Sequence, residues 1–169
     1  ILEVTNDLAR LDGFTVDKDP MVVGSAIRTS NASPIIANNR ICGLTNFAYG
    51  VIQCQGGAPL IASNNIANNI TAHNDLIGAN HNGAGGIYSQ GSDAHIVGNR
   101  IIGNSSEFGA GIKITDGSPL VEFNDIMGNS AEYLSGGLDC WNTSARISDN
   151  RIIGNSVRNT LYDDAGAGI

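Results

Sequence analysis

The sequence predicts an all-β fold: a single-stranded parallel β-helix, a solenoid of about five to six coils of ~25 residues with three short strands each. Three observations predict it. Ile27, Ile52, Ile87, Ile112, Leu138 and Ile169 follow similar Gly-rich lead-ins at intervals of 25, 35, 25, 26 and 31 residues. Counted from each of these, the same residue types return at the same offsets. Gly, Pro or Asn also interrupts the chain every few residues, which leaves no stretch long enough for a helical repeat.

Residues 1–26 contain LDGFTV and read as the back half of a partial first coil. Five repeats follow over residues 27–168, with a long loop inserted at 67–86. The whole chain, 1–169, reads as one domain. Within each repeat, Ile36, Ile61, Ile96, Val121 and Ile147 form one apolar column. Ile41, Ile66, Ile101, Ile126 and Ile152 form another, continued by Phe14. Two positions before the latter stand Asn39, Asn64, Asn99, Asn124 and Asn150, with Asp12 in the partial coil. Three positions after it stand Asn69, Asn104, Asn129 and Asn155, while Leu44 breaks that column.

These columns have physical causes. Stacked β-branched side chains fill a narrow core. Inward Asn side chains can bond to the Asn above and below, which satisfies buried amides. Asn31, Gly56, Gly91, Asp116 and Asn142 are types that tolerate a left-handed backbone, so a tight bend is expected there in every coil. Pro34, Pro59 and Pro119, or Ala94 and Ala145, then open the next strand.

The repeat GIKITDGSPLVEFNDIMGN (residues 111–129), with close matches at 86–104 and 137–155, resembles those of the right-handed parallel β-helix superfamily, the pectate-lyase-like group. The resemblance covers nearly the whole chain and implies a right-handed coil. It says little about activity, because that superfamily includes lyases, hydrolases, epimerases, phage tailspikes and passive surface proteins.

The totals exclude some classes. The net charge is −7 and the lysines are Lys18 and Lys113, so no basic face is expected for nucleic acid. No apolar run approaches the roughly 20 residues that span a membrane. The three cysteines, Cys42, Cys54 and Cys140, cannot all pair internally, and Cys54 and Cys140 fall three coils apart, beyond disulfide reach. The chain begins and ends in mid-repeat, as expected of a mature product or a piece of a longer protein.

Candidate chemistry sits on the first strand of each coil. Alternation turns Thr29, Cys54, Ser89, Ile114 and Cys140 inward. It turns two columns outward: Arg28, Gln53, Tyr88, Lys113 and Asp139, then Ser30, Gln55, Gln90, Thr115 and Trp141. A solvent-facing ladder of amides and aromatics suits an extended polysaccharide. Arg28, Gln53, Gln55, Tyr88, Gln90, Lys113, Asp139 and Trp141 are therefore the expected substrate-binding residues. The superfamily resemblance implies that the loops preceding this strand wall a groove. Two of them are long, one carrying His73, Asp75, Asn80, His81 and Asn82, the other Arg158, Tyr162, Asp163 and Asp164.

Catalysis is thinly supported. A lyase needs a base and a cation beside a uronate, roles open to Lys113, Tyr88 or Arg28. A hydrolase needs two carboxylates about 5–9.5 Å apart, and Asp139 is alone on its ladder. Calcium would need several converging carboxylates, and Asp139 with Asp116 and Glu107 or Glu132 is a sparse set. The histidines match no zinc spacing. No cofactor or metal is expected.

Two readings follow. One is a carbohydrate-binding or polysaccharide-processing module outside the cytoplasm, at the cell surface, in the extracellular space or in the periplasm. The other is a passive solenoid, a spacer or filament segment, whose open ends stack on neighbouring coils or copies of itself.

Overall fold

The computed structural model describes residues 2–17, 24–46, 49–71, 83–158 and 166–168. These form a parallel β-solenoid of about five turns without helices. The first sheet stacks Leu2–Val4, Ile27–Ser30, Ile52–Gln55, Ile87–Gln90, Ile112–Thr115 and Leu138–Trp141. A second sheet runs from Arg10–Asp12 to Arg146–Ser148, and a third from Thr15–Asp17 to Arg151–Ile153. Among the described residues every strand pair is parallel, and Ile52, Ile87, Ile112 and Leu138 stand in one column.

The three expected strands per turn are present, and a fourth accompanies them. Two-residue strands such as Thr45–Asn46, Ile70–Thr71 and Ser130–Ala131 stack into a fourth sheet beyond the second Asn corner. Such short Ser- and Thr-rich pairs carry little strand signal of their own; the turn below supplies their partner.

The core is a file of aliphatic side chains. Ile27, Ile36, Ile41, Ile52, Ile61, Ile66, Ile87, Ile96, Ile101, Ile112, Val121 and Ile126 are buried. The corners are held by two asparagine ladders. The N–H and Nδ2 of Asn64 both donate to Oδ1 of Asn99, at 2.9 and 3.0 Å, and those of Asn99 donate to Asn124 in the same way. Asn69, Asn104, Asn129 and Asn155 repeat the pattern at the other corner. Each amide also donates to a carbonyl of the turn below, as Asn99 does to Ile61. A buried amide left without partners would cost about 1–3 kcal/mol; here each is satisfied on both sides.

The bend residues Asn31, Gly56, Gly91, Asp116 and Asn142 all have positive φ, as expected. A second positive-φ corner precedes the first Asn ladder and includes Phe123 at φ 56°, a conformation unfavourable for a bulky side chain.

The first turn departs from expectation. It is not merely the back half of a coil, because Leu2–Val4 pairs in register with Ile27–Thr29. Its columns are also shifted by two. Val16, not Phe14, stands beside Ile41, and Phe14 occupies the Asn position, its N–H donating to Oδ1 of Asn39 at 2.9 Å. Asp12 stands beside Ala37 in the second sheet. The triplet Asp12-Gly13-Phe14 imitates Asn-x-Ile, but Gly13, at φ 75°, supplies the bend that Asn38 supplies one turn later.

The long insertion is narrower than 67–86. Ile70–Thr71 keeps its place between Thr45–Asn46 and Ser105–Ser106, and the Thr71 hydroxyl donates to the carbonyl of Ala84 at 2.6 Å. The extra length lies between those two residues. His73, Asp75, Asn80, His81 and Asn82, like Tyr162, Asp163 and Asp164, fall outside the described residues.

Candidate functional site

The first sheet carries all eight expected binding residues, but its two outward columns have different surroundings. The column of Arg28, Gln53, Tyr88, Lys113 and Asp139 is not a solvent-facing ladder. Gln53, Tyr88 and Lys113 are buried, and Arg28 and Asp139 are half-buried. The alternation rule gave the direction of these side chains correctly. It could not show that the segment leading into each strand folds back over them.

The cover is specific. The Phe108 ring lies 5.3 Å from Lys113 Nζ and packs against Tyr133, with centroids 5.5 Å apart. Gly109, at φ 61°, lies so close that a Cβ there would sit 2.9 Å from Lys113 Cβ and 3.0 Å from Asp139 Cβ. Tyr49 stacks on Tyr88 with centroids 5.7 Å apart. Ser25 donates to Oε1 of Gln53 at 3.4 Å. None of Tyr49, Phe108, Gly109 or Tyr133 was singled out by sequence reasoning. Their signal was an aromatic a few residues before the column-opening aliphatic.

Beneath this cover Lys113 meets Asp139 and Tyr88 meets Thr115. Lys113 Nζ stands 3.0 Å from Asp139 Oδ2, with side chains 7% and 13% exposed. The Thr115 hydroxyl donates to Tyr88 Oη at 3.0 Å. Burial raises the Tyr88 pKa, the opposite of what a phenolate base requires. The carboxylate of Asp139 thus faces an ammonium rather than a second carboxylate. Asp139, Asp116, Glu107 and Glu132 do not gather: among the described residues no group of three or more His, Cys, Asp or Glu is placed to hold a metal.

The column of Ser30, Gln55, Gln90, Thr115 and Trp141 is more open. Arg28 donates to Oε1 of Gln55 at 2.5 Å, and Nε2 of Gln55 donates to Oε1 of Gln90 at 3.3 Å. Each amide therefore orients the next along the stack. Thr115 is buried, and beside it in the last turn Trp141 is 65% exposed. The structure thus links Arg28 to Gln55 and Gln90, and Tyr88 to Thr115. It sets Lys113 and Asp139 apart as a covered pair.

The inward column holds Thr29, Cys54, Ser89 and Ile114, all buried, whereas Cys140 in the last turn is exposed. Cys54 and Cys140 form no disulfide. Burial pushes the Cys54 thiol up to about 12, so it is a core residue and no nucleophile.

Comparison with protein-family models, curated proteins and solved structures finds no match to this chain. The structure shows a parallel β-solenoid of about five turns, and no comparison supports the finer likeness to the pectate-lyase-like group. No helix among the described residues is long and apolar enough to cross a membrane.

Proposed function

We propose that the protein is a carbohydrate-binding β-solenoid module that acts outside the cytoplasm and holds an extended glycan along the Gln55–Gln90–Trp141 column. The observation that carries this reading is Trp141, a large aromatic 65% exposed in the same column as a connected pair of glutamine amides. Sugar rings stack on indole faces, and amides donate to and accept from hydroxyls. Turns at a pitch of about 4.8 Å offer these groups as a regular series.

The reading is binding without turnover. Lys113, Asp139 and Tyr88, the candidate catalytic residues, are engaged with one another or with Thr115 beneath Phe108 and Tyr49. In that arrangement Lys113 and Asp139 are a structural pair that fixes the covering segment.

A glycan array with neutral and uronate polymers tests the proposal. Binding by the intact chain that drops on Trp141→Ala and Gln90→Ala, with unchanged circular dichroism, supports it. An array with no ligand for the intact protein removes it. The alternative would then stand: a passive structural solenoid, favoured by the engagement of Lys113 with Asp139 and of Tyr88 with Thr115 beneath the cover.

A further inference from the structure

The column of Arg28, Gln53, Tyr88, Lys113 and Asp139 changes character along the stack. In its upper turns, charge meets charge and hydroxyl meets hydroxyl: Lys113 stands 3.0 Å from Asp139, and Tyr88 accepts from Thr115. Arg28 and Gln53 lie lower, on neighbouring strands, partnered Cα to Cα in the parallel register. Here two buried donors are left over. Among the described residues neither Nε of Arg28 nor Nε2 of Gln53 has a hydrogen-bond partner. Gln53 is 3% exposed. A buried N–H without an acceptor is destabilising, and native interiors seldom keep even one.

The amide oxygens of this region are engaged. Oε1 of Gln53 accepts from the Ser25 hydroxyl at 3.4 Å, and Oε1 of Gln55 accepts from Nη2 of Arg28 at 2.5 Å. The guanidinium has only donors to offer, so it holds the Gln55 oxygen towards itself. The charge of Arg28 is not met either. Its strand neighbour Glu3 is exposed, and among the described residues no carboxylate forms an ion pair with Arg28. What the two donors call for is an acceptor that carries negative charge. A water matches poorly, because it has two protons of its own to donate and these oxygens are taken. An anion only accepts, and it forms charge-assisted bonds to a guanidinium.

We propose that Nε of Arg28 and Nε2 of Gln53 form a buried binding site for a small monovalent anion of the halide class. The ion ties Ile27–Ser30 to Ile52–Gln55 on the outer face of the first sheet. The Lys113–Asp139 pair does the same for Ile112–Thr115 and Leu138–Trp141. The site does not depend on glycan binding.

Bromide is the probe. Urea midpoints of the full chain are measured as sodium bromide replaces sodium gluconate at constant ionic strength. The midpoint should rise and saturate, as for a ligand that binds only the folded state. Gln53→Glu sets a carboxylate beside Arg28 in place of the ion, and should lose the bromide response. Arg28→Lys keeps the charge without Nε–H, and should weaken bromide by about tenfold; it carries the comparison if Gln53→Glu does not fold. Crystals soaked in bromide should show an anomalous peak within hydrogen-bond reach of both nitrogens. A midpoint indifferent to bromide would overturn the proposal. So would an equal response in the parent and both variants, which marks a general salt effect. A peak without saturating stabilisation is an adventitious ion only, and it too would overturn the proposal.

Discussion

Residues 111–131 and 137–157 are two renderings of one motif with different surroundings. In the inner turn, Ile112–Thr115 is buried at every position. In the outer turn, Leu138 is buried, Asp139 half-buried, and Cys140 and Trp141 exposed. The strands are parallel neighbours in register. What separates them is the level above: among the described residues the inner strand has one, and the outer strand has only the lead-in of residues 166–168. In a solenoid, a residue's accessibility is set by its neighbours along the axis at least as much as by its own strand.

The largest effect that can test this contrast is at the Asn corner. Asn124→Leu strips partners from Asn99 and from the carbonyl of Ile96, both in the turn below and both buried, and should cost about 4 kcal/mol in urea denaturation. Asn150→Leu removes the same side chain at the outer level, where it is half-buried, and should cost less than half as much. Equal costs would erase the distinction between inner and outer turns.

Next comes the pair that joins the two turns. Lys113→Ala leaves the Asp139 carboxylate covered and without its ammonium, a loss of about 3 kcal/mol. Combining Lys113→Met with Asp139→Leu should recover most of it. Failure of the double variant to recover would show that the charges do more than neutralise each other.

Alkali separates the turns through their inward cysteines. Burial raises Cys54 from 9.0 to about 12, and partial shielding of the thiol together with the neighbouring Asp139 carboxylate raises Cys140 to about 11. A raised thiol pKa means that folding favours the neutral form. The stabilisation is fully present below pH 9.0 and is lost as pH rises towards those values. Urea midpoints should fall across that window, and Cys54→Ala should flatten the fall more than Cys140→Ala.

Smaller still is the strained bend. Phe123 and Asp149 share one corner, both at φ 56°. Phe123→Gly should stabilise by about 1 kcal/mol, and Asp149→Gly by less, since Asp tolerates this region better. Last, Trp141→Ala should change stability by less than about 0.5 kcal/mol, as for an exposed side chain. A larger change would mean that Trp141 serves packing rather than recognition.

Much of the fold was legible because the same constraint is written several times. Ile at two offsets and Asn at two more leave one register in which all columns align. The first turn escaped because Asp12-Gly13-Phe14 presents a false copy of the Asn motif, offset by two. The fourth sheet escaped because a pair such as Ser105–Ser106 becomes a strand only by lying on its neighbour. The site was legible in direction but not in cover. Period-two alternation placed Lys113 and Asp139 on the outer face, and they are there. Phe108 and Gly109 close over them from a segment of irregular length, for which no column exists to compare.

The Thr71–Ala84 contact has a practical consequence. Ile52 and Ile87 lie 35 residues apart yet hold the register that Ile27 and Ile52 hold at 25. The ten additional residues (35 − 25) pass without disturbing either Asn corner, since Asn64 still bonds to Asn99 and Asn69 to Asn104. The Thr71 hydroxyl on the Ala84 carbonyl marks the two stumps. Between them lies a grafting point. A foreign peptide could replace residues 72–82 at a closure cost of only about 0.6 kcal/mol for each doubling of its length. The molecule can therefore serve as a rigid display frame, with cargo whose length is decoupled from the spacing of the frame.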